Sequence, residues 1–201
     1  VIGISFGEMG QFPGSKTLRG TVAIGTTPAT ISYNGDGGDQ LFITSGGNGY
    51  IYNMTTHAFT QVAALAGKAT QGDHLDGYFI ALDANTSTFY ISSLLDGLTW
   101  ATGTDFAQRS QAADPWKSMK VVGKYLFLFG QVTSEVWYDT GASFPFAPHP
   151  SGFITYGVLA AFSPEVVDTA VMWLGTSASG GRYVLRAAGF QAEVVSSLPQ
   201  Q

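Results

Sequence analysis

Four hairpin-like segments recur along this 201-residue chain, and their recurrence limits its fold more than any other feature. Each joins an apolar run to a second run across a turn. The first links Gln40–Ser45 to Tyr50–Asn53, and the second links Gly77–Leu82 to Thr88–Ser92. The third links Lys124–Phe129 to Glu135–Asp139, and the fourth links Thr169–Leu174 to Arg182–Arg186. The first strands begin after Asp39, Asp76, Gly123 and Asp168, in steps of 37, 47 and 45 residues. The second strands start near Gly49, Thr88, Glu135 and Arg182, in steps of 39, 47 and 47. A period of about 40–50 residues with several short strands per unit is that of a β-propeller blade. Flanking strands fit at Thr30–Tyr33, Phe59–Val62, Met119–Val122 and Glu193–Ser196.

The expected fold is therefore all-β, a β-propeller with about four blade-like units, read as an arc of a larger propeller. The units are 29–66, 67–113, 114–156 and 157–201, with 1–28 as the remnant of a preceding unit. Face-to-face stacking follows from the inner strands. Tyr125–Phe129 and Val171–Leu174 are apolar on both faces, and such strands must be covered on both sides. A two-layer sandwich would show more regular one-sided alternation and closer spacing. The 26 glycines and the Asn, Asp and Ser clusters between runs supply frequent turns. Val158–Phe162 has room for one helical turn, which Pro164 would limit.

Charge narrows the function classes. Charged residues make up 11% of the chain, against about 25% in ordinary domains. A surface so poor in charge points to coverage by something else. The net charge is −5, and Lys117, Lys120 and Lys124 are the nearest approach to a basic cluster. A nucleic-acid binder that works through phosphate contacts needs more than that. There is no cysteine, hence no disulfide or thiolate chemistry. No apolar run approaches the roughly 18–20 residues of a membrane span, and no signal peptide is visible. The chain begins with Val1 rather than Met, which leaves open processing or a longer product.

Motifs for chemistry are weak. Asn34–Asp39 (Asn-Gly-Asp-Gly-Gly-Asp) has oxygen ligands in a calcium-loop style, but it lacks the twelfth-position Glu and reads better as a tight turn. His57, His74 and His149 are scattered, and His74 beside Asp73 and Asp76 reads as a turn residue before a base. Gly67–Thr70 lacks the earlier glycine of a phosphate loop. The sequons at Asn53 and Asn85 read as polar turns. Ser93–Trp100 resembles the Asp-box of sialidase-type propellers, a turn-stabilising feature. A sialidase would also need three converging arginines, and Arg19, Arg109, Arg182 and Arg186 sit in no such motif. No catalytic, cofactor-binding or metal-ligating residue is expected. Trp137 and Trp173 fall inside repeated strands and read as core. Trp100 and Trp116 read as loop residues and, with Phe144, Phe146 and His149 of the Phe144–His149 loop, are the expected interface positions.

An ordered set of segments carries a family likeness. It comprises Asp76–Leu82, Phe89–Ser93, Asp96–Trp100 and Asp105–Ala107, then Leu126–Gly130, Thr133–Asp139 and Phe144–Phe146, then Trp173–Gly175 and Tyr183–Gly189. Over about Asp36 to Ser197 the chain resembles the packaged-DNA stabilisation proteins, or tail accessory factors, of short-tailed bacteriophages. The resemblance implies a structural virion protein, not an enzyme, with a β-propeller body and no cofactor. It implies a homo-oligomeric ring, usually a hexamer, at the head-to-tail junction. That ring would meet the portal adaptor and the tail needle, or tail fibre or spike proteins, and would retain DNA by steric blockage without membrane contact. Family members are longer than this sequence. The alternative from the residues is a carbohydrate-binding or sialidase-like propeller, motivated by the near Asp-box and the aromatic content.

Overall fold

The computed structural model describes residues 17–84, 86–109 and 111–196. It contains four antiparallel sheets that follow one another along the chain. The first holds β1 (Thr30–Tyr33), β2 (Gln40–Ser45), β3 (Asn48–Asn53) and β4 (Phe59–Val62) in that spatial order. The second holds β5 (Gln71–Leu75), β6 (Tyr78–Asp83), β7 (Thr88–Ile91) and β8 (Phe106–Gln108). The third is a meander of β9 (Trp116–Val122), β10 (Tyr125–Gly130), β11 (Ser134–Asp139) and β12 (Phe146–Ile154). In the fourth, β13 (Tyr156–Val158) and β14 (Glu165–Val167) share the edge of β15 (Ala170–Ser177), followed by β16 (Arg182–Ala187) and β17 (Ala192–Val194). The four hairpins of the sequence repeat are the two central strands of each sheet.

The edge strand of the fourth sheet is split for a local reason. Residues 159–164 leave the ladder between β13 and β14, and Pro164 has no N–H with which to continue it. The space read as a helical turn is this irregular loop. The loop Phe144–His149 also needs correction, because from Phe146 onward it is strand β12. Its ladder with β11 carries an irregularity between Glu135 and Trp137, and that break hides the alternation in the sequence.

Before the second strand of every sheet the chain takes a left-handed residue. Asp39, Asp76, Gly123 and Asp168 have φ of 52°, 49°, 60° and 58°. Aspartate and glycine are among the residues that tolerate this conformation.

The sheets stack face to face, and three hydrophobic clusters fill the gaps between them. Phe42, Ile51, Phe79 and Trp100 join the first sheet to the second. Leu82, Phe89, Trp116, Leu126 and Trp137 join the second to the third. Phe129, Val136, Val171, Trp173 and Leu185 join the third to the fourth. Trp137 and Trp173 are core side chains, in line with the sequence reading. Among the described residues no such cluster joins the fourth sheet back to the first. Packing in the third gap is close enough to exclude a side chain at Gly157, where an added Cβ would lie 2.3 Å from the Gln131 carbonyl carbon.

Candidate functional site

The first strands of successive sheets lie side by side, and around them is a cavity of about 360 Å³. It is lined by Pro28–Ile31 at β1, Gln71–Asp73 on β5, Ser118–Lys120 on β9 and the 161–165 region of the fourth unit. All four units thus contribute to one axial space. Adjacent first strands cannot pair as a ladder when the sheets stack radially, so side chains satisfy their free backbone groups. Thr30 Oγ1 accepts the Gly72 N–H at 2.8 Å. Gln71 Oε1 accepts the Met119 N–H at 2.9 Å, and Gln71 Nε2 donates to the Ala161 carbonyl at 2.9 Å. Ser118 Oγ donates to the same carbonyl. Asp73 Oδ2 accepts the Val121 N–H at 2.9 Å. Gln71 and Ser118 together therefore couple the second, third and fourth units. The Lys120–Glu165 pair, at 2.7 Å, closes the same side but is solvent-exposed and adds little energy.

Two titratable neighbours sit in this region. Burial pushes the Asp73 carboxyl above the usual carboxylate range, against the opposing pull of the Val121 and His74 N–H donors and Lys120. Burial pushes the His74 imidazole below its usual range, against Asp73 and Asp76. His74 Nε2 accepts the Gly77 N–H at 3.1 Å, and its ring meets Phe79 edge-on. It holds the β5–β6 turn in its neutral form.

A second polar centre lies between the second and third sheets. Arg109 and Glu135 form an ion pair at 3.3 Å, both almost wholly buried. Glu135 also accepts the Gln111 N–H at 3.0 Å and the Trp137 indole N–H at 3.1 Å. Asp114 accepts the N–H groups of Gln131, Val132 and Thr133 at 2.8–2.9 Å and the Thr133 hydroxyl at 3.0 Å. Burial alone would raise the Asp114 carboxyl, but the donations from Val132, Gln131 and Thr133 outweigh it and hold it below the usual range. These groups clamp the β10–β11 turn.

The other sequence candidates resolve into structure. In the Asp-box-like loop, Asp96 accepts from Leu98 N–H at 2.9 Å and from the Thr99 hydroxyl at 2.7 Å. Gly97 N–H donates to Gln40 Oε1 of the first sheet at 2.7 Å. The loop is thus a turn stapled to its neighbour. Asn34 Oδ1 accepts the Gln40 N–H at 3.0 Å and closes the β1–β2 turn. Lys68 reaches Thr102 and lies 5.2 Å from the centre of the Tyr90 ring. Asn53 accepts from Thr55 and Thr56 N–H groups, and Asn85 lies outside the described residues. Of the arginines, Arg109 is locked between the second and third sheets, and Arg182 and Arg186 lie on β16. They do not gather around one pocket. Among the described residues no cluster of His, Asp and Glu could hold a metal ion, and no helix is long and apolar enough to cross a membrane.

The sequence matches the family Phage_stabilise, described as bacteriophage P22 Gp10, beta-propeller, over residues 1–198. The chain belongs to this family. No curated protein matches it. By fold the Phage_stabilise chain is similar to PorZ, a surface component of the type-IX secretion system of Porphyromonas gingivalis, with 14% identity and a TM-score of 0.51 over 84% of this chain. It spans 22% of the length of PorZ. It is also similar to a prolyl endopeptidase, with 16% identity and a TM-score of 0.48, over 81% of this chain and 25% of that one. A loop-replaced KlHsv2 shares 10% identity at a TM-score of 0.35, over 72% of this chain and 47% of that one. At 14% identity the likeness to PorZ speaks to fold alone.

The Phage_stabilise chain buries most of the side chains expected at its interfaces. Trp116 is fully buried as the first residue of β9, tilted against Phe89 at 5.6 Å, and is not a loop residue. Trp100 is buried on Phe42 at 5.3 Å, its indole N–H bonded to the Gly97 carbonyl. Phe146 is buried against Tyr78 and Phe89. A large apolar ring next to a sheet gap gains more by filling that gap than by waiting at the surface. Phe144 is half-buried over the second cluster. His149 is half-buried and lies tilted against Phe190 at 4.0 Å, with Tyr125 and Tyr138 edge-on.

The surface that sequence reasoning missed is in the Asp-box-like loop, where Leu94, Leu95 and Leu98 are exposed. The signal was present. Asp96 spends its side chain on the Leu98 N–H and the Thr99 hydroxyl within the turn, and the leucines beside it are left at the surface.

Proposed function

We propose that this protein is a structural component of a phage virion that seals the portal channel at the head-to-tail junction, retains packaged DNA and seats the next tail component. Membership of the Phage_stabilise family carries this reading. In it, the chain is not an enzyme, and it assembles as a homo-oligomeric ring, a hexamer, against the portal adaptor. The low charge content supports an obligate assembly, whose interfaces are poor in charged residues. An acidic chain does not oppose DNA retention, because a plug acts by blockage rather than by phosphate contacts. Hydrogen bonds between neighbouring units around one axial space are in keeping with such a plug. Phe144, His149 and the Leu94, Leu95 and Leu98 loop are the contact positions in this reading.

The test is assembly and genome retention. Particles completed with the protein should keep their DNA, and those lacking it should release it. Mass photometry with the purified portal adaptor should show a ring of defined stoichiometry. Equal DNA retention with and without the protein would sink the proposal.

A further inference from the structure

The loop after β7 leaves Leu94, Leu95 and Leu98 exposed by 56%, 38% and 51%. A single leucine at a surface is ordinary, but these three share one short turn. That turn rests on two units. The Leu95 N–H donates to the Gly77 carbonyl of the β5–β6 turn at 2.8 Å. A Cβ built on Gly77 would lie 2.7 Å from Leu94 Cδ1 and 3.3 Å from Leu95 Cδ2. One built on Gly37 of the β1–β2 turn would lie 3.7 Å from Leu95 Cδ1. Leu95 has φ of 56°, a left-handed backbone that leucine seldom adopts. The Ser93 N–H bond to the Thr99 carbonyl at 2.9 Å and the Gly97 N–H bond to Gln40 hold it there. The leucines are thus fixed in place before any partner arrives, which lowers the ordering cost of binding.

The rim of this patch is acidic. Asp36 precedes Gly37, Asp76 precedes Gly77, and Asp96 lies between Leu95 and Leu98. Asp36 and Asp76 are exposed. The Tyr33 hydroxyl lies 3.4 Å from Asp36 Oδ1 and 3.5 Å from Asp39 Oδ1, so Asp39 joins the same side. No Lys or Arg among the described residues forms an ion pair with any of these four aspartates. We propose that this surface docks a basic amphipathic segment of another protein, its apolar side chains on Leu94, Leu95 and Leu98 and its Lys or Arg side chains over the aspartates. Carboxylates around an apolar centre select such a segment by charge complementarity. They work against the other occupants. DNA and anionic membranes have the same sign of charge. A second copy placed face to face would set aspartates against aspartates. The inference rests on the reading of this loop as a contact surface and adds the chemistry of what meets it.

Fluorescence anisotropy on the purified chain tests this with three labelled peptides of one helical pattern, leucine–lysine, leucine–glutamate and serine–lysine. Saturable binding of the leucine–lysine peptide is expected, weakening as salt rises, with the other two at least about tenfold weaker. Leu94→Ser together with Leu98→Ser should weaken it by about tenfold. Asp36→Asn together with Asp76→Asn should weaken it by about threefold and flatten the salt dependence. Circular dichroism should show both double variants folded. An affinity unchanged in either double variant, or equal affinity for the leucine–glutamate peptide, would overturn the assignment. Binding to phosphatidylserine vesicles that is lost in the leucine variant would give the loop to a membrane instead, and self-association lost in that variant would give it to a second copy. If the leucine variant loses assembly with the portal adaptor but the wild type binds no peptide, the contact reading stands and this proposal falls. If assembly and peptide binding both survive the leucine change, both fall.

Discussion

At the scale of single residues, a few polar side chains hold the geometry between sheets. Asp114 engages three backbone N–H groups and one hydroxyl in the β10–β11 turn. Asp114→Ala strands these donors and should lower stability by about 2–3 kcal/mol in urea unfolding. Because its folded-state pKa is depressed, this stabilisation is present above the ordinary carboxylate range and is lost as pH falls through the folded value. His74 titrates in a different window. Its imidazole is depressed by burial, so between its ordinary range and the lower folded value the unfolded state binds more protons. Stability should fall there on acidification, and His74→Gln should remove that part of the slope in a series of melts across pH. Asp73 works in the opposite sense, because its raised pKa makes the folded state bind more protons just above the ordinary carboxylate range. The sequence showed Asp73 and His74 side by side but not this opposition, since burial depends on the neighbouring β9 strand. The left-handed positions, by contrast, were legible. Asp39, Asp76, Gly123 and Asp168 marked the repeat as residues suited to turns, and each has positive φ.

At the scale of elements, the central strands declared themselves and the outer ones did not. The β2, β6, β10 and β15 strands are apolar runs that stand out in any reading; β6 and β10 are covered on both faces, whereas Leu174 on the end-sheet strand β15 is exposed. The β5 strand, Gln-Gly-Asp-His-Leu, has almost no apolar pattern because its side chains bond to the neighbouring unit instead of filling a core. The β12 strand hides behind Pro148 and Pro150 and its register break. Trp116 was misread for a related reason. The Asp114-Pro115 pair before it looks like a loop, and the tryptophan just inside the strand fills the gap to Phe89. The contact between sheets can be probed at Gly157. Gly157→Ala pushes a methyl group into the Gln131 backbone and should cost about 1–3 kcal/mol, measured by thermal or urea unfolding. An unchanged midpoint would mean that the third and fourth sheets leave room for a methyl group at this position.

For the whole molecule, packing of each sheet on the next produces three filled gaps and one shared axial space. The loop carrying Leu94, Leu95 and Leu98 projects from this body while its polar residues keep its shape. Replacing Leu94 and Leu98 together by Ser should leave stability within about 0.5 kcal/mol, as for ordinary surface changes. The same change should weaken assembly measured by mass photometry. A large loss of stability without loss of assembly would assign the leucines to folding instead. The sequence alone determined that the chain is built of repeated antiparallel hairpins, because alternation, turn residues and period are local properties that survive without coordinates. Only the tertiary structure decided which aromatic rings are core and which polar side chains bridge the units. Those outcomes depend on contacts between residues far apart in the chain, and no short window of sequence contains both partners.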